Sequence, residues 1–371
     1  MMRTRTLLYA LMIPLFCRCG LFLNRTPQVL VSAVVLHPDY EPIDVVYRPS
    51  LSEPCRFEVE LRCGLDSVQL FSPVRLEQIS DSLRISIIDL PLCWIWTAEP
   101  VERIGQRDID YVKMEPDITI RDDDKLNGNR IRYWNLTPLI KQGQKLEICR
   151  RFQFTGYCID FDIDSSKVGP YQKDRPFYRF YTQSERWLEY EGAIADTAAK
   201  IIADERNPYM QALRVFIWIQ DHATYHYPPT KRGAREMLAT MQGDCGQYAY
   251  LFIALCRSVG IPSRLVSGFQ LTKENTWSYH AWAECFLPRY GWVPADLTED
   301  CDFGQLPNNR LIASVGMNIP LSRAPSWANY HNSDLEQGVT DFMQMATMCY
   351  AGLAARRFAD IQLIKAKGMA P

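Results

Sequence analysis

The spacing of apolar residues changes character partway along this chain, and that change constrains the fold more than any single motif does. From about residue 29 to residue 161 the apolar side chains alternate or come in short runs. Phe57, Val59 and Leu61 point one way while Glu58 and Glu60 point the other, the period-two pattern of a half-buried strand. Segments 83–88, 131–134 and 146–154 repeat it, separated by turn formers such as Asp117, Asn127-Gly128 and Gln142-Gly143. Short strands at fairly even spacing predict a β-sandwich over residues 29–165.

Beyond an aromatic and charged stretch at 171–186 the period becomes helical. Ile194, Ala198, Ile201 and Ile202 mark one helix. Asn207-Pro208 interrupts, and Ala212, Val215, Phe216 and Ile219 mark a second. A third is predicted over 245–258, stopped by Gly260-Ile261-Pro262. Strands are predicted over 264–271, 279–287 and 292–297, the last two joined by the turn Pro288-Arg289-Tyr290-Gly291. Helices followed by antiparallel strands make an α+β unit, expected over 175–330. Residues 331–371, with Met343, Met345, Met348, Leu353 and Phe358, fit a helix or two short strands and are expected to be an extension packing on that core.

The 371 residues, 47% hydrophobic, are enough for two domains. A net charge of −2 excludes the strongly basic character of a nucleic-acid binder. The sequence Met1-Met2-Arg3-Thr4-Arg5 precedes an apolar run over 7–16, the shape of a secretory signal and too short to span a bilayer. Residues 1–28 are therefore expected to be a signal peptide or N-terminal anchor. That predicts an exported protein of the periplasm or cell envelope, with any membrane association through this segment alone.

Twelve cysteines are too few and too scattered for a disulfide scaffold. Cys55 and Cys63 flank one predicted strand and Cys149 and Cys158 another, so either pair could bridge or stay as separate thiols. No CxxC occurs, which argues against structural zinc, and no cofactor is expected. His222 and His226 have the i,i+4 spacing of a metal-binding pair but lack the glutamate of HExxH.

Gly243-Asp244-Cys245-Gly246-Gln247 opens the third predicted helix. Asp244 suits the N-cap, with Gln247 able to complete a capping box, and Cys245 is then the first helical residue. Unpaired N–H groups and the helix dipole favour a thiolate there, and Gly246 leaves room beside the sulfur for a substrate carbonyl. The competing reading is a small buried hydrophobe opening the stripe Tyr248, Ala249, Phe252, Ile253 and Cys256. For Cys256, mid-helix, that reading is preferred. His280 and Asp296 lie on consecutive predicted strands whose midpoint falls at Pro288, within reach of each other as cross-strand neighbours. Pro294 is expected to disturb the ladder and aim the carboxylate. Glu284, two positions along the same face beyond Trp282, is the alternative carboxylate, with Asp296 preferred for its more direct approach.

Gly243-Asp244-Cys245, the run 255–268 (LCRSVGIPSRLVSG), His280-Ala281-Trp282-Ala283-Glu284 and Gly291-Trp292-Val293-Pro294-Ala295-Asp296 together resemble the transglutaminase-like superfamily. The resemblance covers about residues 186–321 and includes Phe303-Gly304 and Asn308-Asn309-Arg310-Leu311-Ile312. It implies a papain-like α+β core with Cys245 as nucleophile, His280 as base and Asp296 as orienting acid. The β-rich segment ahead of it is similar to the immunoglobulin-like domain that some members carry. Tyr225, in the cluster Tyr225-His226-Tyr227, is a candidate oxyanion contributor on the same ground. The zinc-binding CxxC pairs of peptide:N-glycanase relatives and the acidic calcium clusters of animal cross-linking enzymes are not found in the sequence. The expected function is thiol-dependent acyl transfer on amide bonds of a peptide or protein through a thioester, with hydrolysis favoured over cross-linking. The alternative is a catalytically silent binding or scaffolding protein.

Overall fold

The structure, a computed structural model, describes residues 44–70, 91–272, 276–299, 301–321, 323–324 and 339–367. The expected signal or anchor at 1–28 and the predicted strand at 83–88 lie outside the described residues. Among those described, no helix is long and apolar enough to cross a membrane.

In chain order the described residues of the first half are mostly strand, with one 3-10 turn at Thr137–Leu139: β1 (Ser50–Leu70), β2 (Leu92–Glu99), β3 (Gln106–Glu115), β4 (Arg130–Asn135) and β5 (Leu146–Asp160). Five helices follow: α1 (Pro176–Thr182), α2 (Ala193–Ile202), α3 (Pro208–His222), α4 (Ala234–Thr240) and α5 (Cys245–Ser258). Then come β6 (Ser263–Leu271), β7 (Trp277–Leu287), β8 (Gly291–Ala295) and β9 (Arg310–Val315), and near the C-terminus β10 (Ala346–Ala351) and β11 (Leu353–Lys367). The result is the α+β arrangement expected, with a sheet-rich region before the helices.

The sheet-rich region is not a self-contained N-terminal unit. One of its sheets runs in the order Gln305–Leu306, β5, β1, β11, with β3 also on β5; the other runs β10, β2, β4 and Thr119–Arg121. The tail therefore departs from the expected extension packed on the catalytic core. β11 pairs antiparallel with β1 from Arg56 opposite Lys367 to Leu70 opposite Leu353, and β10 pairs with β2. The physical reason is that β1 carries Phe57, Val59 and Leu61, all fully or almost fully buried, and needs backbone partners along both edges. β5 supplies one and β11 the other. A single hydrophobic cluster joins both sheets to Phe269, Leu271 and Leu311 of β6 and β9, so the two halves of the molecule share a core.

This geometry removes one option left open by the sequence. Cys55 and Cys63 both lie on β1, and Cys149 and Cys158 both lie on β5. Residues eight or nine apart on one extended strand are roughly 26–30 Å apart, far beyond disulfide reach. All four are free thiols.

Behind the functional segment stands the antiparallel sheet β8-β7-β6-β9, with α5 packed on it. Every residue of α5 from Gly246 to Arg257 is buried. A helix apolar on all sides belongs inside, and burying each large side chain such as Leu251, Phe252 and Leu255 contributes roughly 1.5–3 kcal/mol. Gly260, at φ +84, ends the helix in the left-handed region, and Ile261 N–H closes back onto Cys256 C=O at 2.9 Å. The predicted span 245–258 matches α5 end to end.

Candidate active site

Cys245 owes its position to local chemistry at the α5 N-terminus. Asp244 is the N-cap, its Oδ1 accepting the Gln247 N–H at 3.0 Å, and Cys245 follows as the first helical residue, partly exposed. Only half of the expected capping box forms. The Gln247 side chain turns away: its Nε2 donates to Lys231 C=O at 3.0 Å and its Oε1 accepts Gly233 N–H at 2.8 Å. Gln247 is completely buried, so both ends of its amide need partners, and the chain at 231–233 provides them.

His280 stands on β7 and is 4% exposed; Asp296, just past β8, is fully buried. Ala283 pairs with Ala295, so the next position, Trp282, faces Asp296 and His280 is its diagonal neighbour. No bulge interrupts the β7–β8 ladder, contrary to expectation, because β8 is an edge strand and tolerates Pro294 without losing a donor. His280 Nε2 donates to Asp296 Oδ2 at 2.8 Å. The Cys245 side chain is a further polar neighbour of the ring, close enough to interact with it. The Trp282 ring stacks beside the imidazole, centroids 5.8 Å apart.

Burial alone would lower the His280 pKa, but the charge and hydrogen bond of Asp296, with Cys245 adding to them, push it up to about 10. Burial alone would raise that of Asp296, yet His280 and Arg310 hold it down at about 2. The site therefore favours an imidazolium against a carboxylate.

Arg310, on β9, belongs to the run 308–312 of the resemblance, but the sequence assigns it no role. Its Nη2 and Nε donate to Asp296 Oδ2 at 3.0 and 3.3 Å, and it is itself 3% exposed. Nothing in local spacing flags it, since β9 joins this sheet across β6. Gln344, from the chain ahead of β10, donates to the backbone carbonyl of His280 at 2.9 Å, a contact equally invisible in sequence. Glu284, the rival acid, is occupied elsewhere: its Oε2 takes Arg264 Nε at 2.8 Å, with the guanidinium over Trp292 at 3.9 Å.

Tyr225 lies in a two-residue strand, Thr224–Tyr225, paired in parallel with Gln242–Gly243, which sets its backbone beside the residue two before Cys245. α3 ends at His222, so His222 and His226 share no helical face, and His222 Nδ1 sits 2.8 Å from Trp218 C=O.

Residues 195–297 match the transglutaminase-like superfamily. Among curated proteins the chain is similar to an uncharacterized protein, YebA, of Bacillus subtilis, 21% identical over 203 residues, or 47% of this chain and 26% of that one. It is also similar to a peptide-N(4)-(N-acetyl-beta-glucosaminyl)asparagine amidase of Oryza sativa, 37% identical over 65 residues, which cover 17% of this chain and 13% of the rice protein. The chain thus spans about a quarter or less of these two relatives. Among solved structures, a candidate cysteine protease from Cytophaga hutchinsonii has a TM-score of 0.55 at 15% identity, covering 85% of this chain and 93% of its own. That likeness is one of fold. Residues 195–297, which hold the α5 N-terminus, β7 and the end of β8, thus carry a transglutaminase-like core.

Proposed function

We propose that the protein is a cysteine-dependent acyl-transfer enzyme acting on amide bonds of a peptide or protein, with Cys245 as nucleophile, His280 as base and Asp296 as orienting acid. The observation that carries this reading is the His280 ring held on Asp296 Oδ2 at 2.8 Å, with the Cys245 side chain close enough to the ring to interact with it. A nucleophile, a base that holds its proton and an acid that fixes the base are the parts that thiol chemistry requires.

In the proposed reaction the ring already holds the thiol proton as an imidazolium, and the sulfur attacks the amide carbon as a thiolate. The carbon–sulfur bond forms while the carbonyl electrons move to oxygen, and the N–H groups at the α5 N-terminus face the developing charge. Tyr225 is a further candidate donor. Collapse of the adduct breaks the C–N bond, and the imidazolium returns the proton to the departing amine. Water, deprotonated by the same ring, then hydrolyses the thioester and releases the acid and the free thiol.

Hydrolysis is favoured over transfer to a second amine because a solved structure that shares this fold over most of both chains is described as a candidate cysteine protease. The test is incubation of the parent and of Cys245→Ala with a mixed peptide set, read by mass spectrometry, beside a glutamine peptide with a labelled primary amine. Cleavage by the parent alone supports the reading. Equal cleavage by both overturns Cys245 as nucleophile, and efficient amine incorporation at low amine concentration overturns hydrolysis.

A further inference from the structure

Arg232 lies in the loop ahead of α4 and reaches across to the α5 N-terminus. Its Nη1 and Nη2 donate to Asp244 Oδ1 and Oδ2 at 3.3 and 3.0 Å. The guanidinium covers Gly246: a Cβ there would sit 3.2 Å from Nη1 and 3.3 Å from Asp244 Oδ1. The Asp244 side chain is 6% exposed and that of Arg232 39%. The loop is held in place independently, through Gln247 to Lys231 C=O and Gly233 N–H.

Asp244 acts on the helix start in two opposed ways. As N-cap it satisfies the Gln247 N–H. As a carboxylate adjoining Cys245 it places a negative charge where the next residue must carry one to react, and like charges within a few ångströms disfavour ionisation. Among the described residues, the charged or titratable groups that interact with or adjoin Cys245 include His280 from β7, Arg232 from the loop before α4, and Asp244 and Tyr250 from the α5 end itself. Burial pushes the Tyr250 hydroxyl up, so it stays neutral. His280 is already matched by Asp296. The balance around the thiol then turns on the Arg232–Asp244 pair.

We infer that Arg232 is a positioning residue that neutralises the Asp244 carboxylate beside Cys245, so that an acid caps the nucleophile's helix without suppressing the thiolate. This rests on the reading of Cys245 as nucleophile. It also gives Gly246 a second use, since any side chain there would meet the guanidinium. An arginine serves better than a lysine, because its planar fork grips both carboxylate oxygens at once.

The experiment measures the rate of iodoacetamide alkylation at Cys245 against pH, with the labelled residue identified by peptide mass spectrometry. Arg232→Ala is expected to move the midpoint of the profile up by about one pH unit. Adding Asp244→Asn to that variant should return it towards the parent, a rescue that a purely structural role does not produce. Asp244→Asn alone keeps a good N-cap and so keeps the fold. It leaves Arg232 unopposed and should move the midpoint down. An unchanged midpoint in Arg232→Ala, a double variant no nearer the parent, or a rise in Asp244→Asn would each overturn the inference. Labelling equal in the parent and Cys245→Ala would overturn the nucleophile reading and this inference with it. Labelling at Cys245 that is indifferent to Arg232 would overturn this inference alone.

Discussion

Arg310 and Asp296 meet through a single oxygen: the guanidinium donates twice to Asp296 Oδ2, the atom that also accepts the His280 ring. The acid behind the histidine is thus anchored from β9, a strand that follows it in the chain and reaches it across the sheet.

Removing that anchor leaves a buried carboxylate with half its compensation. Arg310→Ala is expected to destabilise the fold by about 3 kcal/mol, as breaking one side of a buried ion pair does. Urea unfolding at neutral pH measures it, and a loss below half a kcal/mol would show that the pair contributes little.

The His280–Asp296 pair sets a pH window for stability. Asp296 is held at about 2 against its ordinary 3.8, so its contribution is complete above 3.8 and is lost as pH falls towards 2. His280 is raised to about 10 from its ordinary 6.5, so its contribution is complete below 6.5 and is lost as pH rises towards 10. The stability difference between the parent and Asp296→Asn should therefore be largest between these two ordinary values and shrink on both sides. A difference that keeps growing into alkaline pH would contradict the raised histidine.

Glu284 and Asp296 are separable by substitution. Glu284→Gln breaks the contact with Arg264 and should cost roughly 1–3 kcal/mol of stability. Its alkylation rate at Cys245 should stay within about twofold of the parent, because Glu284 does not touch the imidazole. Asp296→Asn should slow that alkylation by at least about tenfold, the effect of one pKa unit on the base. Comparable rates in the two variants would reinstate Glu284 as the orienting acid.

Deleting residues 353–367 should unfold or aggregate the protein although they lie far along the chain from every candidate catalytic residue. The deletion strips β1 of one partner and exposes the edge of a strand that carries Phe57, Val59 and Leu61. Soluble expression and a far-ultraviolet spectrum test this; a soluble, cooperatively melting product would refute it.

Much of the core was legible because its signals are local. The N-cap Asp244, the terminator at Gly260 and the apolar run between them define α5 without reference to anything outside it. The alternation in β1 and the turn before Gly291 act over a few residues in the same way. Two short helices escaped notice. α1 buries only Phe177 and Tyr181, and α4 only Ala234 and Met237, too few positions to establish a period. Gln247 was legible as a capping residue but not as the pin for the 231–233 loop, because that role depends on burial.

By itself the sequence determined the change from strand to helix and back, the cysteine at a helix start, and the order in which thiol, imidazole and acid occur. Those properties depend on backbone preferences and periodicity within a dozen or so residues. Only the tertiary structure decided that the C-terminal strands complete the first sheets, that Arg310 clamps Asp296, and that Arg232 covers Gly246. Each of these is a pairing between distant segments, chosen by which buried edge or charge is left without a partner once the local elements have formed.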